Sequence, residues 1–188
     1  MKKIGILLVT ASLFLTACQQ GAPLSQDNGQ NVADGEDILF HTEEHQMEIK
    51  SDQEFLEMMI PHHQEAVDSS KVLLAKTSNE ELKNFLEGVI YVQSNEIEQM
   101  KLWYKQWFGT EYQAKEGYMA MMPDLSRLEG EAADRAYIQG MIDHHQSAIA
   151  MARDLQAFTE RPELIDLAKA VMDVQSAEIG LLEGYLNN

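Results

Sequence analysis

The stretch Met59-Ile60-Pro61-His62-His63-Gln64 returns 82 residues later as Met141-Ile142-Asp143-His144-His145-Gln146. The correspondence holds without a gap between residues 52–104 and 134–186, with 18 identities among 53 aligned positions. It includes a second shared stretch, Gln-Ser-x-Glu-Ile, at residues 93–97 and 175–179. Because the same polar residues recur at the same spacing, we expect the two halves of the chain to contribute equivalent side chains to a shared site.

Each half contains two stretches in which apolar residues recur every three or four positions, a pattern that predicts amphipathic helices. In the first half the break between them falls at Thr77-Ser78-Asn79, where Ser or Asn provides a helix cap. In the second half Pro162 marks a helix start, because proline is tolerated in the first turn. The sequence therefore predicts an all-α fold, an antiparallel four-helix bundle built from two repeated helical hairpins.

The N-terminal segment has the features of a secretory signal peptide. Two lysines precede an apolar run over residues 4–15, which is too short to span a membrane. The run ends in Leu15-Thr16-Ala17-Cys18, which resembles the lipobox of bacterial lipoproteins, where the cysteine is diacylated and becomes the new N-terminus. We therefore expect removal of residues 1–17 and lipidation of Cys18. The protein would be anchored to a membrane outside the cytoplasm, in the periplasm or at the cell surface; the alternative is an ordinary secreted protein.

The remaining chain divides into a tether and one folded domain. Residues 18–45 are rich in Gln, Gly, Ser, Asn and Asp and contain few apolar side chains, as is typical of a flexible tether. Residues 46–188 are enough for a sizeable core. We expect them to form the bundle, with repeat one at residues 52–104, a join at residues 105–133 and repeat two at residues 134–186.

The chain is strongly acidic, with 31 Asp and Glu residues, 14 Lys and Arg residues and a formal net charge of −17. Loss of the signal peptide would remove two lysines and no acidic residue. Such a surface repels nucleic acid and favours cations nearby, so nucleic acid is not an expected partner. The single cysteine also excludes a disulfide within the chain.

Four polar side chains fall within the apolar stripes of the predicted helices: His63, Glu96, His145 and Glu178. Burying such groups is costly unless something pairs with them. Because each half supplies one histidine and one glutamate on neighbouring helices, we expect these side chains to meet inside the bundle. One interpretation is a metal site, and the alternative is a metal-free His–Glu network that fixes the helix register.

Other candidate ligands flank these positions. His62 and His144 fall at the stripe edges, where they either complete a coordination sphere or face solvent, and Met59 and Met141 lie one turn before the second histidine of each pair. Imidazole, carboxylate, amide and thioether groups supplied twice predict a buried metal site. The predicted ligands are His62, His63, His144, His145, Glu96, Glu178, Met59 and Met141. The glutamates act either as direct ligands or as acceptors that orient the imidazoles.

The ligand types narrow the choice of metal. Thioethers select Cu(I), and imidazole suits copper, zinc and iron, so copper is preferred while zinc and iron stay open. Methionine on a helical stripe is usually core filler. Core filling explains Met119-x-Met121-Met122 less well, because this segment lies in the breaker-rich join. His41 and His45 have i, i+4 spacing within the tether and are a candidate accessory metal contact.

The sequence does not decide whether the protein is an enzyme, although it favours a binding protein. Di-iron oxidases of the ferritin type use Glu-x-x-His on paired helices. In this chain the residues three positions before the histidines are Met59, Ile60, Met141 and Ile142. A metal-dependent oxidase or reductase and a metal-free helical interaction module are therefore the alternatives to a metal-binding protein.

The doubled Met-Ile-x-His-His-Gln, each copy followed about thirty residues later by Gln-x-x-Glu-Ile, resembles the domain of unknown function family 305 over about residues 45–188. That family is a ferritin-like group common among secreted and lipid-anchored bacterial proteins, and some members are periplasmic copper-binding proteins. The resemblance implies a ferritin-like bundle with a role in copper binding or resistance. Asp143 replaces the family's usual proline, and Asp68-Ser69-Ser70 corresponds to Ala150-Met151-Ala152, which leaves open whether the two halves bind metal equally.

The hypothesis from the sequence is an extracytoplasmic, lipid-anchored protein that binds copper for buffering, trafficking or resistance. Its expected partners are the metal ion, the membrane through Cys18 and, for trafficking, a metal-transfer protein. The sequence leaves open the oligomeric state, the oxidation state of the metal and whether the two halves form one site or two.

Overall fold

The computed structural model describes residues 49–187. Four α-helices follow in order: α1 (Asp52–Leu74), α2 (Glu80–Phe108), α3 (Gly130–Gln156) and α4 (Pro162–Leu186). One short 3-10 helix, Leu125–Arg127, lies between α2 and α3, and the described part of the chain contains no strand. The prediction of an all-α fold with two helical hairpins is confirmed.

The predicted signal peptide, the lipidation site at Cys18 and the tether with His41 and His45 lie outside the described residues, so these remain predictions from the sequence. Within residues 49–187, none of the helices is apolar over a length that would cross a bilayer.

The helices start where the local sequence predicts. Ser51 caps α1 by accepting a hydrogen bond from a first-turn amide at 3.1 Å. Asn79 caps α2 by accepting hydrogen bonds from the amides of Glu81 and Leu82. Pro162 occupies the first turn of α4, where its missing N–H breaks no intrahelical bond. These local signals fix where α1, α2 and α4 begin.

Two helices extend beyond the repeat boundaries. α2 continues to Phe108 and is terminated by Gly109, whose φ of 74° is the left-handed conformation that favours glycine. α3 begins at Gly130, before the repeat resumes at Asp134. The connection between α2 and α3 is therefore residues 109–129, which we call the join from this point.

The helices pack as two hairpins, α1 with α2 and α3 with α4, and the hairpins meet chiefly through α1 and α3. Buried apolar side chains form two clusters, one toward each end of the bundle. The first holds most of the apolar residues from the first half of α1 and the second half of α2, and the other holds the opposite halves. Buried polar residues occupy the middle of the helices, between the clusters: His62, His63, Gln93, His144, His145 and Gln175. We call these six residues, with Glu96 and Glu178, the polar layer.

Candidate metal centre

Both predicted His–Glu pairs are present, one in each hairpin. His63 Nε2 lies 3.0 Å from Glu96 Oε2, and His145 Nε2 lies 2.7 Å from Glu178 Oε2. The histidine side chains are fully buried, and the glutamate side chains are 23% and 25% exposed. Each pair therefore joins an inward-facing ring on one helix to a carboxylate near the surface of its neighbour.

The His–Glu pairs leave one ring nitrogen of each histidine free to bind a ligand. A neutral imidazole carries a single proton, so an Nε2–H that donates to glutamate leaves the Nδ1 lone pair unprotonated. A carboxylate in this position fixes the ring orientation and raises the basicity of the opposite nitrogen. Of the two roles predicted for Glu96 and Glu178, the geometry favours the orienting role over direct ligation.

His62 and His144 bring the two hairpins together. Their ring centroids are 3.6 Å apart, with an angle of 31° between the ring planes. Both residues are buried, which excludes the alternative that they face solvent. Each ring also lies 6.3 to 6.4 Å from the ring of the next histidine along its helix. The four imidazoles therefore form a continuous row, His63, His62, His144 and His145, across the middle of the bundle.

Six nitrogens in this row have no hydrogen-bond partner within residues 49–187. They are both ring nitrogens of His62 and His144 and the Nδ1 atoms of His63 and His145. The side-chain oxygens of Gln93 and Gln175 are also buried without a partner in that part of the chain. An unpaired buried polar atom costs about 1–3 kcal/mol. Because each neutral imidazole carries one N–H, the four rings together offer four free lone pairs, a concentration that fits a site that binds a metal ion.

Burial keeps the central imidazoles in the neutral form that metals bind. Burial, reinforced by the neighbouring histidines, lowers the pKa of His62 well below its ordinary value of 6.5. Burial also lowers the pKa of His144, although the nearby Glu65 carboxylate opposes this effect. At neutral pH each of these two rings therefore carries a single proton. Its other nitrogen can coordinate a metal without first losing a proton.

Glu65 is a site residue that the sequence reasoning missed. Its Oε2 lies 3.5 Å from His144 Nε2, which is too long for a well-formed hydrogen bond. The residue at the equivalent position of the second half is Ser147, so a comparison of the two repeats gives no sign of Glu65. The available signal was its spacing of three from His62, which places both residues on one face of α1.

Glu65 also attaches the join to the bundle. It accepts hydrogen bonds from the Tyr118 hydroxyl at 2.5 Å and from the amides of Met121 and Met122 at 2.8 Å each. Burial alone would raise the pKa of Glu65, but the contacts from His144, Tyr118 and the Met122 amide lower it to about 2. An ionised carboxylate thus connects the join to the central imidazoles.

The predicted thioether ligands adjoin the polar layer from opposite sides. Met59 and Met141 are fully buried, in different apolar clusters. Within residues 49–187, no three His, Cys, Asp or Glu side chains are arranged as a metal site. A site built from the polar layer therefore requires either another ligand type, such as thioether sulfur, or a shift of the imidazole rings.

A narrow cleft between α2 and α4 approaches the polar layer from the surface. Its volume is about 10 Å³, close to the minimum that holds one water molecule. Gln93, Gln175, Glu96 and Glu178 line it, with the half-exposed Val92 and Val174 at equivalent positions of the two halves. Passage of an ion by this route would require movement of the flanking side chains.

Comparisons with known proteins agree with this picture. A family model described as a domain of unknown function, DUF305, matches residues 52–186. The structure of CopM in its Cu(I)-bound form is 39% identical over 74% of this chain and 98% of CopM, with a TM-score of 0.69. The Cu(II)-bound form of CopM is 40% identical over 73% and 96% of the two chains, with a TM-score of 0.67.

A DUF305 protein from Streptomyces coelicolor is more distant. It is 25% identical over 71% of this chain and 90% of its own, with a TM-score of 0.64. No protein of curated function matches the chain.

Proposed function

Because the chain belongs to the DUF305 family, and because a similar protein has been solved with Cu(I) and with Cu(II), we propose that this protein binds copper in its polar layer. The observation that carries the proposal is the row of four buried histidines, in which six ring nitrogens have no hydrogen-bond partner within residues 49–187. We further propose that binding occurs outside the cytoplasm, in a lipid-anchored protein that serves copper buffering, trafficking or resistance.

In this proposal the histidines supply the nitrogen ligands and the other layer residues position them. His62 and His144 come from different hairpins, so copper bound between them would link the two halves of the bundle. His63 and His145 present Nδ1, while Glu96 and Glu178 hold their rings at Nε2. Met59 and Met141 are the proposed sulfur ligands, which favour Cu(I) over harder ions.

The unpaired nitrogens favour metal binding over a purely structural polar layer. A layer retained only to fix helix register would be expected to satisfy its buried polar atoms, as most native proteins do. Nitrogen lone pairs without partners instead add about 1–3 kcal/mol of cost per atom, which a bound cation would offset. A di-iron oxidase is disfavoured because α1 and α3 carry methionine or isoleucine where its Glu-x-x-His motif requires glutamate.

The proposed location depends on Cys18, which terminates the lipobox-like stretch. If Cys18 is lipidated, mass spectrometry of the mature protein will show a diacylglyceryl modification at an N-terminal cysteine, and Cys18→Ser will release the protein from the membrane fraction. An unmodified, soluble wild-type protein would leave copper binding intact as a proposal but would overturn the lipid anchor.

The proposed role in copper handling is testable in cells. Deleting the gene should increase sensitivity to added copper, and a copy encoding His63→Ala/His145→Ala should fail to restore growth while the wild-type copy restores it. Full rescue by the double variant would contradict a role for the polar layer in copper resistance.

The copper site itself is tested by titrating the purified protein with Cu(I), Cu(II), Zn(II) and Fe(II) under competition. We expect copper to bind most tightly and His63→Ala/His145→Ala to abolish binding in the polar layer. Ser70→Ala is the matched control, because it removes a buried polar group from the same bundle without changing an imidazole. A second variant, His63→Gln/His145→Gln, preserves more side-chain volume and guards against loss of folding.

Circular dichroism and thermal melting should accompany the titration. Copper binding of undiminished stoichiometry and affinity in both folded double variants would show that the polar layer is not the site. A folded wild-type protein that binds none of the four metals would contradict the proposed function and favour a metal-free interaction module.

A further inference from the structure

The join carries three methionines in four residues, and two of them are exposed. Met119 is 81% exposed and Met121 is 42% exposed, whereas Met122 is partly buried. Methionine that fills a core is buried, as Met59 and Met141 are. Core packing therefore does not account for Met119 and Met121.

The backbone of this segment is held in place. Glu65 accepts hydrogen bonds from the consecutive amides of Met121 and Met122 and from the Tyr118 hydroxyl. Farther along the join, Lys76 donates to the backbone carbonyls of Leu125, Ser126 and Leu128. The exposed sulfurs are thus presented by a fixed backbone, which lowers the entropic cost of gathering them around a ligand.

A fourth methionine lies close to the segment. Met58 of α1 and Met119 line the same groove, of about 360 Å³, between α1 and the join. Glu54, Glu57 and Glu116 also line the groove. Because Lys115 is paired with Glu57, the carboxylates of Glu54 and Glu116 leave the lining with a net negative charge that attracts cations. The groove combines thioether sulfur with carboxylates at the surface.

The other end of the segment packs on α3 one turn before His144. Gly140 of α3 lies one turn before His144, and a Cβ atom at Gly140 would be 3.6 Å from the Met122 sulfur and 2.4 Å from Pro123 Cδ. Glu65, which holds the Met121 and Met122 amides, lies 3.5 Å from His144. The methionine segment therefore runs from exposed sulfur to the edge of the polar layer.

We propose that Met119, with Met58 in the same groove and the exposed Met121 two residues farther along the join, forms a surface site for a soft monovalent metal ion, Cu(I) or Ag(I), separate from the polar layer. Thioethers select Cu(I) among the biological metals, and this site would acquire the ion at the surface before its transfer past Met122 to the imidazoles. The inference rests on the proposed function for the destination of the ion, but the surface site binds by its own ligands.

The test is a titration of the purified protein with Ag(I), which does not change oxidation state under the conditions of the assay. Three proteins are compared with the wild type: Met119→Leu/Met121→Leu, the control Met172→Leu and His63→Ala/His145→Ala. Leucine preserves size and apolar character but removes sulfur, and the two target residues are exposed, so we expect no loss of folding. The control makes the same change in α4, away from the join.

We expect Met119→Leu/Met121→Leu to lose one equivalent of Ag(I) and to load Cu(I) into the polar layer more slowly than the wild type. Met172→Leu should match the wild type, and the histidine variant should retain the surface equivalent. Methyl-labelled methionine NMR should show Ag(I) shifting the Met119 and Met121 signals in both the wild type and the histidine variant.

Two results would overturn the surface site: unchanged Ag(I) stoichiometry in Met119→Leu/Met121→Leu, or methyl signals of Met119 and Met121 that do not move. Failure of the proposed function gives a different result, in which the histidine variant binds copper as well as the wild type does, whatever the methionine variant shows.

Discussion

The two halves of the molecule agree at their His–Glu pairs and differ around the central histidines. The pairs have His–Glu distances of 3.0 and 2.7 Å in equivalent positions. Next to them, Glu65 of the first half approaches His144, whereas the residue equivalent to Glu65 is Ser147. The repeat has kept the groups that orient imidazoles, while the carboxylate that holds the amides of the join, Glu65, has no equivalent in the second half.

The same asymmetry continues deeper in the bundle. Ser70 and Tyr137 share a buried hydrogen bond of 2.7 Å, and the equivalent residues, Ala152 and Phe55, are apolar. The buried Tyr137 hydroxyl therefore depends on Ser70, because without Ser70 it would lose its hydrogen-bond partner. We interpret the features shared by both halves as serving metal binding and the features found in one copy as serving packing. Each prediction below tests one such feature.

Among equivalent positions of the two halves, we expect the largest difference in stability between the variants Glu65→Ala and Ser147→Ala. Removing Glu65 leaves the Tyr118 hydroxyl and two join amides without their acceptor, so we expect a loss of about 2–3 kcal/mol in the free energy of unfolding. Ser147→Ala should change it by less than about 0.5 kcal/mol. Urea unfolding of both variants checks this, and similar values would contradict the assigned role of Glu65.

The His–Glu pairs should respond alike in the two halves. Glu96→Ala and Glu178→Ala each remove the acceptor that orients an imidazole, and we expect each to lower copper affinity by about 10- to 100-fold. Glu96→Gln and Glu178→Gln keep an acceptor oxygen and should recover part of the loss. Competition titration measures all four variants. A strong effect in one half with none in the other would show that the two pairs do not serve a common site.

Gly140 should be intolerant of alanine because the join packs directly on it. A Cβ at Gly140 would lie 2.4 Å from Pro123 Cδ, so Gly140→Ala should destabilise the protein by about 1–2 kcal/mol as the join is displaced. Gly88→Ala is the control within α2, since a Cβ there meets nothing within 4 Å among the described residues. It should stabilise the protein by about 0.5–1 kcal/mol. Thermal melting of the two variants settles the comparison; equal shifts would show that the join does not press on α3.

The smallest expected effect is replacement of the Ser70–Tyr137 pair by alanine and phenylalanine, the residue types at the equivalent positions, Ala152 and Phe55. Ser70→Ala strands the buried Tyr137 hydroxyl and should cost about 1–2 kcal/mol. Tyr137→Phe should cost less, because Ser70 still donates to the Ala66 carbonyl at 2.6 Å. The double variant should be more stable than Ser70→Ala alone. A double-mutant cycle of unfolding free energies measures the coupling, and simple additivity would argue against it.

Much of the architecture could be predicted because it depends on local sequence patterns. Asn79 and Pro162 mark helix starts through groups within one turn of themselves, and the three-and-four spacing places His63 and His145 on buried faces. The pairing of each histidine with a glutamate could also be predicted, because the second helix of each half carries a glutamate within its apolar stripe. These inferences needed no knowledge of how the hairpins meet.

The rest depends on packing between segments that are far apart in sequence. The burial of His62 and His144 follows from the contact between α1 and α3, which periodicity within one helix does not specify. Glu65 was missed because the repeat does not duplicate it. The docking of Met122 on α3 depends on the absence of a side chain at Gly140, which reads in sequence as an ordinary helical glycine.

The central claim is that copper binds among the four imidazoles of the polar layer. Anomalous diffraction at the copper absorption edge, from crystals of the protein loaded with Cu(I), tests this most directly because it locates the ion without relying on a variant. The account predicts a strong peak within bonding distance of nitrogens from the row of His63, His62, His144 and His145. Copper found at surface positions alone, with no peak among these imidazoles, would contradict it.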